Sequence, residues 1–380
     1  MNLLDPLEIP DLLANLVERS IVSFDQETGR YQMSESMRSY VVAALEEGES
    51  DIAHRKHFDY FLSNAQTIRE NQEKVGQFLL DLDNARASLE WGSRTSGLEE
   101  ETLRLALGLS SIWSTAFHDE GRIWIRNSRE RAVNAEPKLI ARAEFQQGLL
   151  ELRLGLFDDA ALTVERGETI ASTLDSREIH ANVSSLRLWL LAVSGNLLAA
   201  RDFALELVAK ARKDGQGMWM ALNGLGEISR DIEDWETAEK CFSEVLPKIK
   251  GVDRKNEASN LGLTLCRLGR TEESVQYLRE AFTIADQLGH IPVLVSSMMG
   301  ISYVLLIRGD TASAGRICGF GLKLSEKSPI RFEHSDQQDV DWIVSQGREI
   351  GGGTFASCEV EGASMTIEEV RKLVEEVTKS

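Results

Sequence analysis

The sequence is poor in residues that interrupt helices and in motifs that carry catalysis. Six prolines in 380 residues permit long uninterrupted helices, and strand-like alternation of apolar and polar residues is nearly absent. No GxxxxGK[ST], GxSxG or HExxH motif occurs, which excludes the usual signatures of P-loop NTPases, serine hydrolases and zinc proteases. The sequence therefore predicts an all-α protein that is not an enzyme and needs no cofactor.

Cysteines and long apolar runs are also scarce. The four cysteines are scattered without CxxC spacing, at Cys241, Cys266, Cys318 and Cys358. Such spacing is typical of reduced, buried thiols in a cytoplasmic protein. The N-terminus has no basic stretch followed by an apolar one, and we find no apolar run long enough to cross a membrane. We therefore expect a cytoplasmic protein that does not associate with membranes.

Basic residues are outnumbered, because 42 Lys and Arg stand against 61 Asp and Glu, which gives a formal net charge of -19 and a calculated pI of about 4.9. A surface this acidic is repelled by phosphate backbones and by anionic lipid. Direct nucleic-acid binding is therefore disfavoured, whereas a locally basic groove stays compatible with this balance.

What the sequence does contain is a short mark that recurs between pairs of helix-length apolar segments. The marks begin at Gly155, Gly195, Glu233, Gly269 and Gly309, which are 40, 38, 36 and 40 residues apart. A fixed period of this size is typical of stacked helical hairpins, since one hairpin alone cannot bury its apolar face. The sequence predicts a solenoid of such hairpins.

Two of the marked units follow the tetratricopeptide repeat (TPR) template closely. In one, Leu225-Gly226 matches the small pair of the first helix, and Ala238 and Phe242 match the close-packing and aromatic positions of the second. Small residues are required where the two helices cross at close range. The other units keep the spacing but lose some of these residues. We therefore predict a TPR-like α-solenoid.

The N-terminal stretch lies outside this pattern. An amphipathic helix at Leu12–Arg19, two short strands at Ile21–Phe24 and Arg30–Met33, and a helix at Glu35–Leu45 follow one another. This order is that of the end of a winged helix, with one β-hairpin. A DNA-reading helix would need clustered basic residues, and the second helix offers only Arg38. A packing module is the favoured interpretation.

The pattern divides the chain into four parts. We predict a partial winged-helix module at 1–48, an adaptor pair of helices at 49–97, the TPR-like solenoid at 98–327 and capping helices at 328–380. In the last part, Thr366 and Glu369 form a capping box that begins the final helix. Gly351–Gly353 is interpreted as a flexible joint rather than a phosphate cradle, because no strand precedes it.

Several stretches, in the same order along the chain, resemble bacterial STAND-class signalling ATPases of the AfsR-like and LuxR-like type. They read LVERSIV, RYQMSESMRSY, HFDYFL, LDNARASLEW, GRIW and GASMTIEEV, and they begin at Leu16, Arg30, His57, Leu82, Gly121 and Gly362. In that family the first two stretches close a winged helix between an NTPase domain and a C-terminal TPR-like sensor. The resemblance implies the non-catalytic sensor half of a transcriptional regulator.

The chain departs from this family in having neither a P-loop nor the first helix of the winged helix. ATPase activity therefore does not carry over, and we expect a truncated regulator or a stand-alone descendant. It would bind a protein, a peptide or a small ligand, for example a separately encoded NTPase or regulator. The alternative is a free-standing TPR scaffold that binds partner peptides and has no link to NTPase regulation.

The binding surface expected of either protein is the concave groove, lined by the first helix of each hairpin. Arginines, amides and aromatic side chains at groove positions are typical of recognition surfaces. The template places there Arg142, Phe145, Arg153, Asn182, Ser185, Trp189, Asn223, Glu227, Arg230, Ser259, Arg267, Met299 and Tyr303. For Phe145, Trp189 and Tyr303, packing between hairpins is the more common role of such aromatic side chains. His54 and His57, one turn apart, are too few for a zinc site, which normally has four ligands, and we predict no metal.

Overall fold

The computed structural model describes residues 8–26, 29–44, 48–70, 78–114, 117–215, 217–251, 254–326 and 334–378. It divides into two compact units, Met1–Phe61 and Leu62–Ser380. The predicted fold class is confirmed. The described chain is a series of α-helices with a single two-stranded β-hairpin.

The N-terminal unit has the predicted order of helix, hairpin and helix. Its elements are α1 (Ile9–Glu18), β1 (Ser23–Asp25), β2 (Arg30–Gln32), α2 (Glu35–Ala44) and the start of α3 (Glu49–Glu70). Leu45, the predicted last residue of α2, lies outside the described residues. The strands are antiparallel and place Phe24 opposite Tyr31, with ring centroids 4.8 Å apart. Burial is shallow in α1, which has no buried residue.

The second unit begins with helices that precede the marked hairpins. They are α4 (Leu82–Arg94), α5 (Glu99–Gly108), α6 (Ser110–Trp113) and α7 (His118–Arg131). Their packing is tight, since Trp113 is fully buried and donates its indole N–H to the carbonyl oxygen of Ala106 at 2.9 Å.

Five helical hairpins follow, one for each mark, and each consists of a first helix A and a second helix B. They are α8 (Pro137–Leu154) with α9 (Phe157–Ser172), α10 (Arg177–Val193) with α11 (Leu197–Asp214), α12 (Met218–Asp231) with α13 (Trp235–Val245), α14 (Arg254–Arg267) with α15 (Thr271–Leu288), and α16 (Ile291–Arg308) with α17 (Thr311–Glu326). A short 3-10 turn, Leu246–Lys248, ends the third hairpin.

Each mark is a left-handed turn that closes helix A. The residues that open the five marks have φ between 61° and 85°, and all are glycine except Glu233. In every case the amide of this residue bonds to the carbonyl three residues back, and the next amide bonds to the carbonyl five residues back. This Schellman pattern satisfies carbonyls that the helix end would leave unpaired. It explains why glycine recurs at these positions.

Small residues follow each turn where helix B crosses helix A. Ala160, Ala200, Ala238, Ser274 and Ala314 occupy this position and are fully buried. On the facing helix, a Cβ added to Gly226 would lie 2.7 Å from the ring of Phe242, and one added to Gly262 would lie 2.6 Å from Leu278. The close helix crossing predicted from the template is therefore present.

One helix among the described residues, Ile291–Arg308, is long and apolar enough to cross a membrane. It is the A helix of the fifth hairpin, and 78% of it is buried inside the protein. Its composition is that of a core helix, which is apolar on all sides because it is covered on all sides.

The C-terminal region packs back onto the solenoid. Helix α18 (His334–Gly362) is broken at Gly352, where φ is 53° and ψ is -136°. The predicted flexible joint is instead a packed bend, because Gly351 abuts the Phe355 side chain and Thr311. A Cβ at Gly319 of α17 would overlap the Glu359 carbonyl oxygen. The second part of α18 therefore lies directly against the last hairpin.

The last helix, α19 (Ile367–Thr378), begins as the sequence predicts. The Thr366 amide donates to the Glu369 carboxylate at 2.8 Å, and the Glu369 amide donates to the Thr366 hydroxyl at 3.3 Å. This is a capping box. Val370 and Val374 of α19 are buried in the same apolar core as the fourth and fifth hairpins.

Candidate binding groove

All thirteen predicted groove residues lie on the five A helices, α8, α10, α12, α14 and α16. They differ in exposure along the solenoid. Those of the first two hairpins reach solvent: Arg153 is exposed, and Arg142, Phe145, Asn182, Ser185 and Trp189 are half-buried. Those of the other three are more enclosed: Asn223 and Arg267 are half-buried, and Glu227, Arg230, Ser259, Met299 and Tyr303 are buried.

The difference arises because the first part of α18 packs across the A helices of the third to fifth hairpins. Asp336, Asp339 and Trp342 are spaced by three residues, which places them on one side of the helix. Through them α18 contacts α12, α14 and α16, by the hydrogen bonds and ring contacts described below. This part of the groove thus holds a helix of the same chain.

Arg230 is the centre of the contact between α12 and α18. Its side chain is fully buried, and its guanidinium donates to Glu227 at 2.9 Å, Asn260 at 2.8 Å, Asp336 at 3.0 Å and Asp339 at 2.9 Å. Burial lowers the pKa of Arg230, but the three carboxylates outweigh it and raise the pKa well above its ordinary value. Arg230 is therefore a buried, permanently charged anchor for the helix.

Arg267 forms a second anchor from the next A helix. Its Nε donates to Asp339 at 2.7 Å. Its guanidinium lies between two indoles, 3.9 Å from the ring centroid of Trp342 and 4.9 Å from that of Trp235. The Trp342 ring in turn packs on Tyr303, with centroids 4.4 Å apart. Cation–π stacking is strongest with Trp and with arginine, so Trp342 and Asp339 together fix this cation.

Among the described residues, Glu227 of α12 is the carboxylate that the A helices contribute to this cluster. It accepts hydrogen bonds from Arg230 and Asn260 on the groove side and from the Ser335 hydroxyl of α18 at 3.4 Å. On the opposing helix, burial raises the pKa of Asp336, and the neighbouring Arg230 charge acts against this rise. The cluster therefore joins two arginines of the groove to two carboxylates of α18.

The sequence predicted the residues that the A helices contribute to this cluster, but not those of α18. It placed Glu227, Arg230 and Arg267 in the groove but did not foresee their partners Asp339 and Trp342. The spacing of Asp336, Asp339 and Trp342 at intervals of three could have indicated a contact surface on α18, since it places two acids and an aromatic on one helical face. The pairing partner could not be read from it, because Arg230 and Asp336 are 106 residues apart.

Two further predicted groove residues carry buried polar atoms that lack a hydrogen-bond partner among the described residues. They are Asn223 Oδ1 and Ser259 Oγ, which lie on the neighbouring helices α12 and α14. Met299 is fully buried in the apolar core of the last two hairpins. The predicted set thus contains both groove contacts and core residues.

The described residues contain no group of three or more His, Cys, Asp and Glu side chains that could hold a metal ion. His57 packs on Phe61 with ring centroids 4.8 Å apart, and burial is the main cause that lowers its pKa. All four cysteines are free and buried. Burial raises the pKa of Cys241, Cys266 and Cys318 to about 12, which leaves these thiols protonated and unreactive at neutral pH.

Comparison with known proteins relates the chain to regulators. No family model matches it. It is 35% identical over 333 residues to a protein named "Putative HTH-type transcriptional regulator" from Mycobacterium bovis, and equally to proteins of that name in two strains of Mycobacterium tuberculosis. The match covers 82% of this chain and 37% of each relative.

Among solved structures, it is similar to a signal transduction ATPase with numerous domains (STAND) protein with a tetratricopeptide repeat sensor from Pyrococcus horikoshii. The TM-score is 0.49 at 12% identity, over 96% of this chain and 60% of that chain. The resemblance to bacterial regulators that the sequence motifs indicated is confirmed, and the chain is related over most of its length to about a third of an HTH-type transcriptional regulator.

Proposed function

We propose that the chain is a non-catalytic interaction or sensor module of a bacterial transcriptional regulator, which acts in the cytoplasm. Its ligand is a protein or peptide held in the concave groove. The name of the curated relatives supports the regulatory role.

The observation that carries the binding role is the helix already seated in the groove. The A helices of the third to fifth hairpins hold α18 by charged hydrogen bonds of 2.7 to 3.0 Å and by stacking on Trp342. A surface that selects a helix by paired charges and an aromatic anchor has the anatomy of a recognition site. Arg153 and Trp189 lie on the A helices of the first two hairpins, and we infer that they continue the binding surface there.

Capture of cross-linked partners from the native cytoplasm tests this function. The full chain is compared with Arg153→Ala/Trp189→Ala in the groove, and with Glu206→Ala on the exposed side of α11 as a matched control. We expect one partner to be recovered equally by the native chain and the control, and about tenfold less by the groove variant, as for loss of an interface anchor.

The identity of that partner separates the two candidate functions. A partner that carries a P-loop or belongs to the transcription apparatus supports the regulator module. A groove-dependent partner without either feature supports the free-standing scaffold instead. Equal recovery by all three chains would show that the groove is not the binding surface.

A further inference from the structure

We propose that the first part of α18, residues 334–351, is an internal ligand of the groove, and that the external partner is an acidic amphipathic helix that displaces it. The partner helix carries two carboxylates three residues apart and an aromatic side chain three residues further on. This inference rests on the proposed function, since it names the chemistry of the ligand and the state of the site before binding.

The two sides of the helix differ as those of a groove-bound helix do. Asp339, Val340 and Ile343 face the protein and are buried. On the other side, Gln337 and Asp341 are exposed, and the Gln337 side-chain amide donates to Asp341 at 2.8 Å. Recognition of a helix by one apolar and charged face is a recurrent mode of peptide binding. The buried face therefore defines the features that a competing helix must present.

Charge determines the kind of competitor. The groove wall supplies Arg230 and Arg267 against one carboxylate, Glu227, and α18 adds the carboxylates of Asp336 and Asp339. A buried guanidinium that loses its partner is strongly unfavourable. A helix without acids in these places would leave Arg267 without its Asp339 carboxylate and Arg230 with Glu227 alone, whereas an acidic helix exchanges one set of ion pairs for an equivalent one.

The contacts of α18 are also suited to exchange. Trp342 is only half-buried, and the Asp336 side chain is 19% exposed, so the edge of the contact is accessible to a competitor. An intramolecular helix lowers the apparent affinity of any competitor by the fraction of time that the groove is open. Substitutions that weaken the packing of α18 should therefore strengthen the binding of an external helix. If α18 were only a structural cap, the same substitutions would weaken that binding.

Binding of a labelled peptide with the sequence of residues 334–351 tests the proposal. Fluorescence anisotropy compares the native chain, the release variant Asp339→Asn/Trp342→Ala and the control Asp341→Asn, which alters the exposed side of the same helix. The groove residues are unchanged in all three. We expect the release variant to bind the peptide at least about tenfold more tightly than the native chain and the control.

Specificity is tested on the peptide itself. A peptide with Asp339→Asn should bind the release variant about tenfold more weakly than the native sequence. Arg267→Ala in the release variant should reduce this difference, and the contact of Asp339 with Arg230 should keep the rest of it. A release variant that keeps the helical circular dichroism of the native chain and binds the peptide no better overturns the proposal.

If the release variant does not fold, hydrogen exchange of the native chain tests whether α18 leaves the groove. Amides of residues 338–346 should exchange at least about tenfold faster than those of residues 258–265 in α14, because local opening precedes global unfolding. Equal exchange would make α18 part of the permanent core and overturn the proposal. If the release variant fails to bind the peptide while groove-dependent capture of a partner persists, the proposal of an internal ligand is wrong and the proposed function stands.

Discussion

At the scale of single residues, the five turn positions show which property of the repeated mark matters. Four glycines and one glutamate share the same left-handed backbone and the same two hydrogen bonds. A Cβ at Gly269 would have no atom within 4 Å, so sterics with neighbours do not require glycine there. What favours glycine is the backbone conformation, which costs an L-residue about 1 kcal/mol or more.

Exchanging the residues at two equivalent turns tests this cause. Glu233, which is exposed, has φ of 61°, and Gly269 has φ of 73°. Glu233→Gly should stabilise the protein by about 0.5–1 kcal/mol, and Gly269→Ala should destabilise it by about 1 kcal/mol. Midpoints of chemical denaturation measure both changes. The backbone explanation is wrong if the two substitutions shift the midpoint in the same direction.

At the scale of an element, the start of α16 depends on a neutral histidine. His290 precedes the helix, and its Nδ1 accepts the Val293 amide at 3.4 Å. An acceptor nitrogen carries no proton, so this cap requires the uncharged ring. Burial lowers the pKa of His290 to about 4, and the charges of Lys255 and Arg153 act in the same direction. Burial therefore keeps the His290 ring uncharged, and the uncharged ring is the form that can accept the Val293 amide.

The sign of the resulting pH dependence follows from this shift. The unfolded histidine takes up its proton near pH 6.5, and the folded one does so only near pH 4. The stabilisation is thus complete above about pH 6.5 and is lost as the pH falls toward 4, by up to about 1.4 kcal/mol per pH unit. His290→Asn keeps a capping oxygen without a proton to gain.

Thermal denaturation of three chains at pH 7.5 and 5.0 measures this effect. The difference between the two melting temperatures should shrink in His290→Asn relative to the native chain. It should be retained in His54→Asn, which removes an exposed histidine from the other unit and leaves His290 in place. An unchanged difference in His290→Asn would show that another group causes the pH dependence.

At the scale of the whole solenoid, each hairpin should be stabilised by the hairpins next to it. Val340, Ile343, Phe355, Val370 and Val374 of the C-terminal helices share one apolar core with the fourth and fifth hairpins. The second and third hairpins contribute to a separate cluster. In a repeat protein each unit is stabilised mainly by its neighbours, so loss of the C-terminal helices should act on the nearest hairpins first.

Truncation after Glu326 tests this coupling. We expect amide protection in α14 to α17 to fall by at least about tenfold in hydrogen exchange, because large apolar side chains lose their cover. Protection in α8 to α10 should change little. A uniform loss along all five hairpins would contradict nearest-neighbour coupling and would indicate a single cooperative core.

The sequence predicted the hairpins well because their determinants are local. The left-handed residue at the end of each A helix, which is glycine in four of the five hairpins, and the small residue five positions later act within one hairpin, and they recur with the period. The same holds for the capping box at Thr366 and Glu369, which spans a single turn. Features of this kind leave a readable pattern, since the interacting residues are close together in the chain.

The sequence predicted the groove residues as an open surface, without the helix α18 that packs on part of them. Template positions placed Arg230 and Arg267 on the inner face, yet their partners Asp336 and Asp339 come from a helix 72 to 109 residues further along the chain. No spacing rule links the two segments. The sequence by itself determined the solenoid, its turns and its capping box, because short-range sterics and hydrogen bonds set them. Only the tertiary structure decided that the chain's own helix fills part of the groove, because that depends on burying two arginines against distant carboxylates.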